Sequence, residues 1–212
     1  MGSGAIRIGG LCGIVAAATI LPAYNIGSPE KPRNPADVQG YHDSAASFLT
    51  FNGELPLLHI LFGLIFVGVL VTMLRQASGS SFAGYIAVIG GAVFLALTAA
   101  GLAAEIAVPA AIVKFDDLSV VAYSGPFLMM SLWLYHFSQL GSAALIFATA
   151  FIVWRTGVLP KWSAVLAVLG VLPLLHTCVG LPAAYSTVAW VALTSLVMLA
   201  IPPVVKVESI GV

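Results

Sequence analysis

From Pro126 to Trp154 the chain carries no aspartate, glutamate, lysine or arginine. Wound as an α-helix, that run is about 43 Å long, more than the ~30 Å hydrocarbon thickness of a bilayer. Hydrocarbon supplies no water to bond backbone amides, so such a segment is stable there only as a helix that satisfies them internally. Comparable runs recur along the sequence, and only 8% of residues are charged, against about a quarter in soluble domains. These features predict an all-α protein, a polytopic transmembrane helix bundle of six spans forming a single domain over residues 1–212. The spans are expected at about 8–23, 55–73, 82–106, 126–154, 162–179 and 187–204.

Gly9, Gly13 and Ala17 are spaced by four in the first span, a small-residue face that lets another helix approach closely. Arg7 followed by an apolar run also has the form of a secretory signal, but Leu21-Pro22-Ala23 is a poor cleavage site. Pro109 lies one turn after Glu105, which predicts a bend near the end of the third span. Cys12 and Cys178 are expected near opposite membrane faces, beyond the ~7 Å limit for a disulfide. The outer loop 27–53 is polar. Within it Asn34 and Pro35 read as a helix start, and Val38, Tyr41, Ala45, Phe48 and Leu49 follow at helical spacing. This predicts a short amphipathic outer helix, lying on the membrane, linking in solvent or acting as a lid.

Arg7, Arg75, Arg155, Lys161 and Lys206 fall on one side of the six-span scheme, and Lys31, Arg33 and Lys114 on the other. The basic residues of the short connections therefore place both termini in the cytoplasm of a multi-pass cell-membrane protein. Zero net charge and no basic face exclude nucleic acid as a partner. The opening RIGGLCGIV, the polar loop before the second span and the stretch WRTGVLPKWSAVLAVLGVL resemble a family of small bacterial six-helix integral membrane proteins grouped as a domain of unknown function. That resemblance implies a helical fold in the bacterial cytoplasmic membrane, and it brings no catalytic residues.

His59, Glu105, His136 and His176 all count to the outer third of their spans. On the helical rise, His59 is about 21 Å from Met73, His176 about 21 Å from Trp162, His136 about 26 Å from Val153 and Glu105 about 30 Å from Tyr85. Ionisable groups at such depth usually face the bundle or a cavity. On the fourth span Tyr135, Ser138, Gln139, Ser142 and Thr149 share one arc, with His136 at its edge. On the third, Gly84, Gly91, Thr98 and Glu105 repeat every seven residues. The candidate binding residues are therefore Glu105, His136, His176, His59, Gln139 and Tyr135.

Three chemistries fit these residues. His59, His136, His176 and Glu105 are zinc-ligand types, although no close-spaced pair such as HExxH is present. His59 and His176 at equal depth would suit axial ligation of a haem. Neutral histidines and a protonatable glutamate would suit a lipid headgroup or small amphiphile in an outward-opening polar pocket. The plainer alternatives are histidines bonded between helices and a glutamate reaching the headgroups. G-x-S-x-G, P-loop and C-x-x-C signatures are absent. The favoured expectation is lipid or amphiphile binding with no cofactor. A metal- or haem-dependent enzyme and an accessory subunit, packing on a partner membrane protein or on a second copy, are the alternatives.

The orientation has a direct test. In a background lacking both cysteines, an impermeant thiol reagent applied to intact cells should label Ser44→Cys and spare Ser80→Cys. The reverse pattern overturns the expectation.

Overall fold

The structure, a computed structural model, describes residues 2–26, 28–29, 37–115, 118–172, 174–175 and 183–202. Those residues form six α-helices and two 3-10 segments, with no strand among them. The α-helices are α1 (Ser3–Ile26), α2 (Val38–Asn52), α3 (Leu55–Ser78), α4 (Phe82–Phe115), α5 (Ser124–Thr156) and α6 (Ala183–Ala200). The 3-10 segments are Leu118–Tyr123 and Lys161–Gly170. Four helices, α1, α3, α4 and α5, are long and apolar enough to cross a membrane. The chain is thus an all-helical protein with the character of a membrane protein.

Small residues decide how the helices meet. α1 lies antiparallel to α3, with Gly9 against Val69 and Gly13 against Phe66, and antiparallel to α6, with Gly10 against Met198 and Leu199. The expected Gly9/Gly13/Ala17 face is therefore a contact face inside this chain. α3 and α4 meet at Gly63 beside Leu95 and Gly91 beside Val67. The closest approach is between α4 and α5. A Cβ added at Gly90 would lie 2.8 Å from the Gly141 carbonyl oxygen, and one at Gly141 would lie 2.6 Å from the Phe94 nitrogen. Around these contacts Phe66, Leu70, Leu145, Ile146, Ile152 and Met198 form the core. Phe66 meets Trp190 edge-on at 6.3 Å.

This antiparallel order brings Arg7, Arg75, Arg155 and Lys161 to one end of the bundle. The turns there are sharp: Gly79 (φ 63°) and Gly157 (φ 67°) close α3 and α5 in left-handed conformations that favour glycine. Ser81 caps α4, accepting a hydrogen bond from the Gly84 amide at 3.2 Å.

Several boundaries differ from those expected. α1 begins at Ser3 and ends at Ile26, not at residues 8 and 23. α4 continues past Glu105 and through Pro109 to Phe115, where the sequence reading ended the span at residue 106. Loss of one amide donor is tolerated because α2 packs along this extension. Tyr41 and Ala45 join Val108, Ile112 and Val121 in a second small core. α2 is thus a cap docked on α4, with Tyr41 and Ala45 of its predicted apolar face turned inward. The expected start at Asn34 lies outside the described residues. The fifth expected span, 162–179, begins as a ten-residue 3-10 segment, on which Trp162, Val165 and Val168 are all exposed at a spacing of three. That period is the 3-10 repeat, which aligns residues three apart. The sixth expected span corresponds to α6, which ends at Ala200 and not at residue 204. Cys12 is buried and unbridged, and Cys178 lies outside the described residues.

The α4–α5 contact predicts the effect of a side chain at its centre. Gly141→Leu should cost the fold about 1–3 kcal/mol or more by overpacking, read as a lower unfolding midpoint in detergent. Gly125→Leu, in open space on the same helix, should leave the midpoint nearly unchanged.

Candidate functional site

The two acceptor oxygens of Glu105 hold together the end of the bundle opposite the basic one. Gly101, one turn earlier on α4, makes room for Tyr135 of α5: a Cβ there would lie 3.2 Å from the tyrosine ring. The Tyr135 hydroxyl donates to Glu105 Oε2 at 3.0 Å. Ser28, just beyond α1, donates its hydroxyl to Glu105 Oε1. Tyr24 lies within electrostatic reach of the same carboxylate and meets Tyr185 edge-on at 5.7 Å. The Tyr185 hydroxyl in turn donates to Asn25 Oδ1 at 3.0 Å. One carboxylate therefore ties α4 to α5 and to the segment that leads out of α1.

The crevice beside Glu105 is narrow. Ser28, Pro29, Tyr41, Val108 and Phe127 border it, and it has room for about one water molecule. An amphiphile needs far more space.

One turn below Tyr135, two further polar residues of α5 meet α6. The Thr187 hydroxyl donates to Gln139 Oε1 at 3.0 Å and lies 3.1 Å from the Ser142 hydroxyl. Ser138, Gln139, Ser142 and Thr149 are all buried, as the arc on the helix predicts. The two described candidate histidines part company. His59 is buried between α1 and α3, its Nδ1 2.8 Å from the Ala16 carbonyl. A carbonyl only accepts, so Nδ1 carries the proton and Nε2 is the bare nitrogen. His136 bonds the Leu132 carbonyl of its own helix at 2.7 Å and tilts against Trp133 at 5.4 Å, beside the exposed Trp133 and Phe137. Of the candidate binding residues, Glu105 and Tyr135 meet, Gln139 lies one turn away, and His59 and His136 occupy different faces. His176 lies outside the described residues. Among the described residues no three histidine, cysteine, aspartate or glutamate side chains converge as a metal centre would require.

A larger space lies elsewhere, on the exposed seam of α4 and α5 at the basic end. A cleft of about 530 Å³ is lined by Phe82, Ile86, Ala144, Phe147, Phe151 and Arg155. A shallower groove of about 250 Å³ continues it past Ile89, Gly90, Val93 and Leu140, sharing Ile86 and Ala144. From Arg155 to Leu140 the seam is about 22 Å long at the helical rise. Its walls are almost wholly apolar, and Arg155 is the charged residue at its mouth.

Sequence reasoning missed Ser28, Tyr24, Thr187 and the cleft. A lone serine beside a proline has no periodic signal. The cleft did leave a trace, because Ala144 and Ala148 alternate with Phe147 and Phe151 beside a terminal arginine.

The Glu105 tie is measurable by a double-mutant cycle. Glu105→Ala leaves the Tyr135 and Ser28 hydroxyls without their acceptor and should cost about 1–3 kcal/mol. Tyr135→Phe should cost less, and the pair should couple by about 1 kcal/mol, within the range of interhelical bonds in membranes. Additive effects would refute the bond.

Comparison with protein-family models, with curated proteins and with solved structures gives no match.

Proposed function

We propose that this chain is a multi-pass protein of the bacterial cytoplasmic membrane that binds a lipid between α4 and α5, without chemistry of its own. The α4–α5 cleft carries the reading. At about 530 Å³ it falls in the ~300–1,000 Å³ range of ligand sites. Its apolar seam is longer than the ~15 Å half-thickness of the hydrocarbon that one acyl chain must cross. This moves the expected pocket from the outer, acidic end to the basic end, since the Glu105 crevice has room for about one water.

Six crossings with both termini cytoplasmic remain the proposed topology. It is supported by the convergence of Arg7, Arg75, Arg155 and Lys161 at one end, and by the aromatic residues Phe82, Tyr85, Trp154 and Trp162 exposed at that level. In this orientation the cleft opens to the inner leaflet.

Blocking the cleft tests the reading. Protein purified in mild detergent should carry about one lipid per chain by native mass spectrometry. Ile86→Trp and Ala144→Phe, each placing bulk where both parts of the cleft meet, should lose that lipid while keeping a helical circular dichroism spectrum. Full lipid retention in both folded variants would overturn the proposal. A shift from dimer to monomer without lipid loss would show that a second copy fills the cleft.

A further inference from the structure

We propose that the mouth of the α4–α5 cleft is a headgroup site selective for anionic phospholipid, with Arg155 as its phosphate contact and Arg75 supporting it. This rests on the lipid-binding reading and adds the headgroup chemistry.

The charge is held where an apolar chain would end. Arg155 lines the cleft, and its guanidinium lies over the Phe151 ring at 5.7 Å. Phe151 is itself a wall of the cleft, so stacking on it keeps the cation at the mouth. Arg75 stands in the last turn of α3, beside the start of α4. Its guanidinium lies over Tyr85 at 5.4 Å, and its stem sits beside Gly84 near the Ser78 and Ser81 hydroxyls. Ser81 also lines the cleft. Among the described residues neither arginine is paired with a carboxylate. The described acids Asp37, Asp43, Glu54 and Glu105 belong to the other end of the bundle.

Guanidinium groups match phosphate oxygens in geometry and are weakly hydrated, so they suit a diester at a membrane surface. A phosphatidylglycerol-type headgroup presents that phosphate alone. A choline headgroup adds a fixed cation that both arginines repel. A second copy in the same orientation would bring its own arginines to the same level, so like charges oppose self-association through this mouth.

The test uses the full chain in nanodiscs of equimolar phosphatidylglycerol and phosphatidylcholine, with retained lipid counted by native mass spectrometry. About 1 kcal/mol per basic group at a membrane surface corresponds to roughly a five-fold preference for phosphatidylglycerol in the wild type. That ratio should fall toward one in Arg155→Gln, fall in part in Arg75→Gln, and persist in Arg155→Lys. Soluble glycerol phosphate should fail to displace the lipid. Equal retention of both lipids by the wild type, displacement by glycerol phosphate, or an unchanged ratio in Arg155→Gln would overturn the headgroup assignment and leave the cleft reading standing. Absence of any retained lipid in the wild type, or undiminished retention in Ile86→Trp, would overturn the cleft reading itself.

Discussion

Backbone contact between α4 and α5 at Gly90 and Gly141 governs much of this molecule. Lipid tails are as apolar as leucine, so burial against a neighbouring helix gains little from the hydrophobic effect, and association depends on close packing and interhelical hydrogen bonds. Glycine removes the side chains that would hold the helices apart. The same absence leaves the outer seam poorly filled, because Gly90, Gly141 and Ala144 border the shallow part of the cleft. Close packing and the open seam are thus two results of one choice of residues.

Polar side chains complete what glycine begins. Tyr135 reaches Glu105 and Gln139 reaches Thr187, at 3.0 Å each, so α5 is tied to α4 above the contact and to α6 close to its level. Such bonds average only ~0.6 kcal/mol in membrane helices. Their larger effect is on register: a slide of α5 by one turn would part Tyr135 from Glu105 and Gln139 from Thr187, leaving buried polar groups without these partners.

Much of this was legible in the sequence. The arc of Ser138, Gln139, Ser142 and Thr149 faces inward because 3.6-residue periodicity fixes azimuth on a helix. For the same reason Tyr41, Ala45 and Phe48 form the buried side of α2. Periodicity does not say which neighbour a face meets. Equal depth therefore grouped His59 with His136, although one faces α1 and the other stands beside exposed aromatic residues. The continuation of α4 through Pro109 was hidden too, since its support comes from α2, distant in sequence. The 3-10 segment was signalled by Val165 and Val168 three apart, a pattern that a helical reading passes over.

That 3-10 segment has a geometric consequence of its own. A 3-10 helix rises ~2.0 Å per residue and an α-helix ~1.5 Å. The ten residues of Lys161–Gly170 therefore reach about 20 Å, where an α-helix would reach about 15 Å. Reach is gained by drawing the chain thinner, at the expense of hydrogen-bond geometry. Where the four long helices α1, α3, α4 and α5 are built from 24 residues or more, this stretch covers length with fewer residues, and its rewinding to α would shorten it by roughly 5 Å.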